Sequence, residues 1–192
     1  MRKYTVLSAL VALCCSCGDN PYRSNDALLT NFRQALRPVY TMTHGYQIVR
    51  LDSIATFAWD SVYYFTGEST DRYISTTIGF KWDGPDVPDA LKRLLFVHKQ
   101  QVVKFIDCRT YGSADPASDE AFLPIHFWPC NASARAVWSR KAARFAVWRY
   151  CDQPAVEFEF VAVQCLDNLR NLLDHGCPQP ITRTLPDSTS NQ

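Results

Sequence analysis

The chain has 192 residues, of which 47% are hydrophobic, 20% charged and 13% aromatic. This composition excludes disordered, fibrous and repeat proteins, and the length fits one globular domain. Lys and Arg number 20 against 19 Asp and Glu. A balance this close gives no overall field for holding nucleic acid or an anionic membrane surface, so we expect no nucleic-acid partner. No catalytic, cofactor or metal motif stands out, and we expect no enzyme, no cofactor and no metal.

The first residues have the order of a secretory signal peptide. Arg2 and Lys3 precede an almost wholly apolar stretch at 4–12. The apolar run ends after about 14 residues, whereas a membrane-spanning helix needs ~20. We therefore predict that residues 1–16 are a signal peptide. Its removal leaves 18 basic side chains against 19 acidic ones, because Arg2 and Lys3 go with it.

The end of this segment, Leu13-Cys14-Cys15-Ser16-Cys17, resembles the signal of bacterial lipoproteins. In that family a small residue, here Ser16, precedes the cysteine that is lipidated and becomes the new amino terminus, here Cys17. The resemblance implies a palmitate-bearing lipoprotein anchored in the cell envelope, with 17–23 as a tether. Gly18 in place of Asp favours the outer membrane. Cys14 departs from the usual Leu, Cys15 is an alternative acceptor, and secretion without an anchor is the alternative interpretation.

Five cysteines remain after processing, all in the second half of the chain. An oxidising envelope predicts two disulfides and one free thiol, with the pairing left open. A cysteine nucleophile beside a histidine is the alternative, but no local pattern supports it. The disulfide candidates are Cys108, Cys130, Cys151, Cys165 and Cys177.

Periodicity predicts an α+β domain over residues 24–177. Helices are expected at 24–37, which Pro38 ends, at 68–78, capped by Ser69 or Thr70 and closed by Gly79, and at 166–173. We predict one antiparallel sheet of about five to seven strands, with helices covering one face, and a disordered tail at 178–192. A loop is expected at 111–120, and Pro124 places strand 122–128 at an edge. The strands are expected at 46–51, 61–66, 91–97, 102–108, 122–128, 143–150 and 156–163, the third with the fourth and the last two forming hairpins.

Trp59 and Asp60 begin a distinctive segment. The residues 57–67, the sequence 78–84 after the second helix and the hairpin at 91–108 resemble a family of small bacterial envelope lipoproteins. That resemblance implies no activity. In one interpretation Trp59 packs in the core while the Asp60 carboxylate accepts backbone N–H groups in a turn. In the other, Asp60 is a catalytic carboxylate with Asp83 or Asp86 as its partner.

Basic and aromatic residues are interleaved between Arg135 and Tyr150, a segment that includes the strand predicted at 143–150. The basic residues are Arg135, Arg140, Lys141, Arg144 and Arg149, and the aromatic ones are Trp138, Phe145, Trp148 and Tyr150. Arg144, Trp148 and Tyr150 fall on one face of the strand. Such a strip would stack on sugars or hold an anionic glycan or a protein partner. A half-covered sheet face with solvated arginines is the alternative.

These patterns favour a lipid-anchored envelope protein that acts as a binding module. Its partner would be a protein, such as a neutralised toxin or an assembly component, or an envelope glycan. The alternatives are an envelope-polymer hydrolase using Asp60 and a second carboxylate, which requires an open cleft with Asp60 exposed, and a structural scaffold, which requires neither a cleft nor an exposed strip.

Overall fold

The computed structural model describes residues 26–109, 112–113, 122–128, 136–152 and 155–166. Within these ranges no helix combines the length and the apolar character needed to cross a membrane. The elements in the described ranges are the helices α1 (Asp26–Tyr40), α2 (Leu51–Ile54) and α3 (Asp71–Ile78) and the strands β1 (Gln47–Arg50), β2 (Ser61–Phe65), β3 (Leu91–His98), β4 (Gln101–Arg109), β5 (Gly112–Ser113), β6 (Leu123–Trp128), β7 (Val137–Ser139), β8 (Arg144–Asp152) and β9 (Ala155–Ala162).

The described strands form a single mixed sheet. Its order is β1-β8-β9-β6-β4-β3-β2-β7, and β5 pairs with β9 beside this path. The α+β class is confirmed, as are the hairpins β3-β4 and β8-β9. The expectation of five to seven antiparallel strands is wrong, because the sheet has nine strands and β6 runs parallel to both of its neighbours.

Strand β6 joins two antiparallel groups of strands. It pairs with β4 only at Leu123 and Pro124, and then with β9 from Ile125 to Trp128. The predicted edge position of this strand is therefore wrong. Pro124, which has no N–H to donate, is tolerated inside the sheet because it occupies the last pair with β4, where the strand changes partner.

Helix α1 continues through Pro38 to Tyr40, so the predicted stop at 37 is also wrong. Val39 and Tyr40 are buried, and the Tyr40 ring packs edge-on against Phe158 at a centroid distance of 4.7 Å. Burial of this last turn offsets the backbone hydrogen bond that a proline removes. The single turn of α2 and the three residues of β7 were not predicted. The loop predicted at 111–120 is wrong at 112–113, because β5 pairs there with β9.

Helices pack on both faces of β3, not on one face as predicted. Leu94 and Phe96 point into the larger core cluster, which contains residues of α1 and α2. Leu95 and Val97 point into a smaller cluster with residues of α3. Helix α3 itself agrees with the prediction, because Thr70 accepts a hydrogen bond from Tyr73 N–H at its start and Gly79 closes it at φ 84°.

The smaller cluster is fastened to the sheet by the buried side chain of Arg93. Its guanidinium makes two hydrogen bonds to the Asp107 carboxylate, at 2.7 and 3.0 Å, and donates to the Pro85 carbonyl at 2.6 Å. It also lies 4.3 Å from the centroid of the Phe105 ring. The buried charge is thus paired, and the loop after α3 is held against β3 and β4.

The β3-β4 hairpin turns through two residues in the left-handed region. Lys99 has φ 48° and Gln100 has φ 59°. A two-residue turn of this kind favours Asn-Gly, because both central residues need positive φ. Each non-glycine residue in that region costs roughly 1–2 kcal/mol, so the turn is strained.

Replacing Gln100 by glycine should therefore stabilise the protein. We expect Gln100→Gly to raise the free energy of unfolding by about 0.5–1 kcal/mol, since glycine adopts positive φ without a clash. Urea unfolding of the two proteins measures the difference. Gln101→Gly is the matched control, one position later in extended β4, where glycine should cost about 0.5–1 kcal/mol. Equal effects of the two substitutions would contradict strain in the turn.

Candidate functional site

An open cleft lies where the ends of β1, β3 and β7 meet the start of β8. Its volume is about 680 Å³. Strand pairing brings these ends together. Ser61 of β2 lies opposite Val97 of β3 and Ser139 of β7. Asp60, which precedes Ser61, therefore lies between His98 and Arg140. The charged residues that line the cleft are Arg50, Asp52, Asp60, Arg140, Lys141 and Arg144, together with His98.

Asp60 holds the cleft together through its backbone and its carboxylate. Its backbone N–H donates to Val97 O at 2.7 Å, and its carbonyl accepts from Arg140 N–H at 2.9 Å. The carboxylate oxygen Oδ2 accepts from Lys99 N–H at 2.7 Å and lies 3.1 Å from His98 Nδ1. The side chain nevertheless stays exposed. These contacts lower the pKa of Asp60, first through the Lys99 N–H and then through His98.

The second carboxylate of the cleft is neutralised by a neighbouring arginine. Arg50 donates from Nε to Asp52 Oδ1 at 3.0 Å and from Nη2 to Oδ2 at 2.6 Å. This hydrogen-bonded pair raises the pKa of Arg50 and lowers that of Asp52. Asp52 and Arg50 therefore cancel each other's charge.

Three further cations of the cleft have no carboxylate within ion-pair distance among the described residues. They are the exposed side chains of Arg140, Lys141 and Arg144. Arg140 is oriented by the ring of Trp59, whose centroid lies 5.7 Å from the guanidinium carbon. The cleft is therefore positively charged on one side and carries the Asp60–His98 pair on the other.

The structure separates the residues that the sequence grouped as one strip. Arg144 lines the cleft, but Trp148 is only 4% exposed and belongs to the larger core cluster. The expected exposed strip is wrong, because both faces of β8 are covered over Phe145–Arg149. Tyr150 is exposed, yet six residues along a strand place it roughly 20 Å from Arg144.

Trp59 and Asp60 combine features of both sequence interpretations. Trp59 is buried in the core, as expected, and donates from its indole N–H to the Ala55 carbonyl. Asp60 accepts a backbone N–H, also as expected, but from the β3-β4 hairpin and not from its own turn. Because it is also exposed in an open cleft, Asp60 meets the structural condition set for a catalytic carboxylate.

The carboxylates expected to partner Asp60 lie elsewhere. Asp83 pairs with Lys81, and Asp86 accepts a hydrogen bond from the backbone N–H of Asp71. Neither lines the cleft. The proposed pairing of Asp60 with either residue is therefore wrong, because the loop that carries them packs beside α3.

Among the disulfide candidates, Cys108 has a free thiol and Cys165 is disulfide-bonded. Cys108 faces the apolar core from β4, and burial raises the pKa of its thiol, so it is neither a disulfide partner nor a reactive nucleophile. Cys130 and Cys177 lie outside the described residues, as do Cys17, the leader, the tether, most of the helix predicted at 166–173 and the tail.

Sequence analysis missed a second polar cluster, formed by His126 of β6 with Glu157 and Glu159 of β9. One side-chain atom of each residue lies within 4.8 Å of the other two. The available signal was the spacing of the two glutamates, since residues two apart on a strand share a face. This spacing alone did not predict the cluster, because strand alternation does not identify the neighbouring strand. The pairing of β9 with the parallel strand β6, which carries His126, was not predicted.

Comparisons with protein-family models, with curated proteins and with solved structures give no match.

Titration of Asp60 gives a test of its place in the cleft. Because the pKa of Asp60 is lowered in the folded protein, its ionised carboxylate stabilises the fold at pH values above the ordinary pKa of 3.8. This stabilisation is lost as the pH falls through the lower pKa of the folded state. We expect Asp60→Asn to lower the urea midpoint at pH 7 and to match the wild type more closely at pH 3.

Asp83→Asn is the control. Among the described residues Asp83 forms an exposed ion pair with Lys81, so its replacement should leave the urea midpoint nearly unchanged at pH 7. An Asp60→Asn midpoint equal to that of the wild type at pH 7 would contradict the stabilising role of the carboxylate.

Proposed function

We propose that this chain is a lipid-anchored bacterial envelope protein that acts as a binding module, and that its cleft receives an anionic group of the partner. The observation that carries the proposal is that three exposed cations, Arg140, Lys141 and Arg144, line one cleft with no described carboxylate within ion-pair distance.

The register of the sheet adds a second argument for an anion. Arg50 and Arg144 are directly opposite each other in the β1-β8 pair. Like charges in that position destabilise a sheet, and the ion pair of Asp52 is with Arg50 and not with Arg144. An anion in the cleft would relieve the remaining repulsion.

The geometry also favours binding over general electrostatic attraction. Net charge on the chain is close to zero, so the positive charge is local to the cleft. Guanidinium groups bind carboxylate and phosphate through two parallel hydrogen bonds, and Arg140 is already oriented by Trp59. Carboxylates of a protein partner and phosphate or carboxylate groups of an envelope glycan have the required chemistry.

The envelope location is proposed from the amino-terminal sequence. Arg2 and Lys3, the apolar run and Cys17 support export and lipidation, and Gly18 supports the outer membrane. The disulfide-bonded state of Cys165 supports an oxidising compartment. With Cys108 free, the remaining candidates Cys130, Cys151, Cys165 and Cys177 fit two disulfides in any of three pairings.

The binding proposal can be tested by reversing charge in the cleft. The mature lipoprotein, immobilised in detergent, and its Lys141→Glu/Arg144→Glu variant are each incubated with solubilised envelope. Bound proteins and glycans are then identified by mass spectrometry. We expect the wild type to retain specific material that about 0.5 M salt releases, and the variant to lose at least ~90% of it.

Arg37→Glu/Arg72→Glu is the matched control, since it changes the net charge equally at exposed positions outside the cleft. It should retain the same material as the wild type. Retention that survives in the cleft variant, or that disappears equally in the control, would contradict the proposal.

A hydrolase acting on envelope polymers is the second candidate, and the exposure of Asp60 in the cleft favours it. The other carboxylate that lines this cleft is Asp52, which is engaged by Arg50. If the chain is a hydrolase, Asp60→Asn should abolish the release of products from purified envelope polymer while the variant still binds the polymer. The presence of the cleft argues against a purely structural scaffold.

A further inference from the structure

The cluster around His126 lies close to the place where β4 and β6 separate. His126 Nδ1 lies 3.4 Å from Glu159 Oε2 and 3.9 Å from Glu157 Oε1. Glu157 also accepts a hydrogen bond from Lys92 Nζ at 3.0 Å, and the indole N–H of Trp128 donates to Glu159 Oε2. Two strands thus supply one imidazole nitrogen and two carboxylates to a single point.

One of these separations equals that between two ligands of a tetrahedral zinc ion, and all three candidate ligand atoms lie within 4.8 Å of one another. Zinc binds imidazole nitrogen and carboxylate oxygen at about 2.0–2.2 Å, which places neighbouring ligand atoms ~3.4 Å apart. The distance from His126 to Glu159 is already at that value, and the distance to Glu157 exceeds it by 0.5 Å. A rotation of the Glu157 side chain that moves its carboxylate closer to His126 would complete the set of three ligands.

The charge balance of the cluster also calls for a cation. The side chains of Glu157 and Glu159 are only 4% and 9% exposed. Among the described residues, Lys92 forms an ion pair with one of these two carboxylates, and the ring of His126 lies near both. Two buried carboxylates with one fixed cation are costly unless a further positive charge is present.

The surrounding side chains fit a resident metal. Trp128 donates to Glu159 and would fix the orientation of that ligand, as outer-shell hydrogen bonds do in metal sites. His126 is 28% exposed, which leaves a path from solvent. One nitrogen ligand in a set of three suits zinc better than calcium or magnesium, which take six or more oxygens.

We propose that His126, Glu157 and Glu159 bind one Zn²⁺ through Nδ1 and one oxygen of each carboxylate, with water as the fourth ligand. Lys92 occupies the position next to Glu157 when the metal is absent and releases that carboxylate when zinc binds. The site is independent of the cleft, because none of its residues lines the cleft.

The experiment is a zinc titration of the full mature lipoprotein after removal of metal by a chelator, without reductant, in competition with a chromogenic chelator. We expect one zinc per chain. His126→Ala should weaken the affinity about tenfold or more, and Lys92→Met should strengthen it, because the competing ammonium is gone. His44→Ala, at an exposed position before β1, is the matched control and should bind as the wild type does.

Circular dichroism establishes that each variant is folded. The main test uses His126→Ala because His126 is partly exposed, so that its replacement disturbs the fold less than replacement of the buried glutamates would. Thermal unfolding supplies a second readout: at the same zinc concentration, zinc should raise the Tm of the wild type and of His44→Ala by similar amounts and that of His126→Ala by clearly less. The proposal is overturned if the wild type binds no zinc, if His126→Ala binds as tightly as the wild type, or if Lys92→Met binds more weakly.

Discussion

The hydrogen bonds of Asp60 are the constraint on which the cleft depends. Its N–H and carbonyl join β3 to the turn after β7, and its carboxylate holds the strained turn of the β3-β4 hairpin. Asp60 contacts Lys99 and His98, and Asp52 pairs with Arg50, so among the described residues no carboxylate lies within ion-pair distance of the neighbouring cations. The same contacts that shape the cleft therefore leave it positively charged.

The second constraint is the position of β6. A strand that runs parallel to both neighbours and pairs with β4 over only two residues lets the two halves of the sheet diverge. Polar side chains enter at this divergence, and Lys92 of one half meets Glu157 of the other. The proposed zinc site and the proposed binding cleft thus arise from different features of one sheet, at separate places.

Local signals in the sequence were sufficient to predict most of the helices and strands. Thr70 and Gly79 mark α3 at its observed ends because capping and positive φ involve only neighbouring residues. The position of β6 was not predictable, since alternation gives the faces of a strand but not its partners. The burial of Trp148 was missed for the same reason, because a strand with mixed polarity on one face can be covered by elements distant in sequence. Two segments singled out from the sequence meet in the cleft, one with Trp59 and Asp60 and the other with Arg140, Lys141 and Arg144. Arg50 joins them only through strand register.

The most direct test of anion binding in the cleft is an NMR titration of the ¹⁵N-labelled mature protein with inorganic pyrophosphate. Amide shifts should concentrate at Lys99, Arg140, Lys141 and Arg144, saturate with a single affinity and weaken as salt is added. A titration in which these amides stay unchanged, or in which shifts scatter over the surface without saturation, would contradict the central claim that this cleft is built to receive an anionic group.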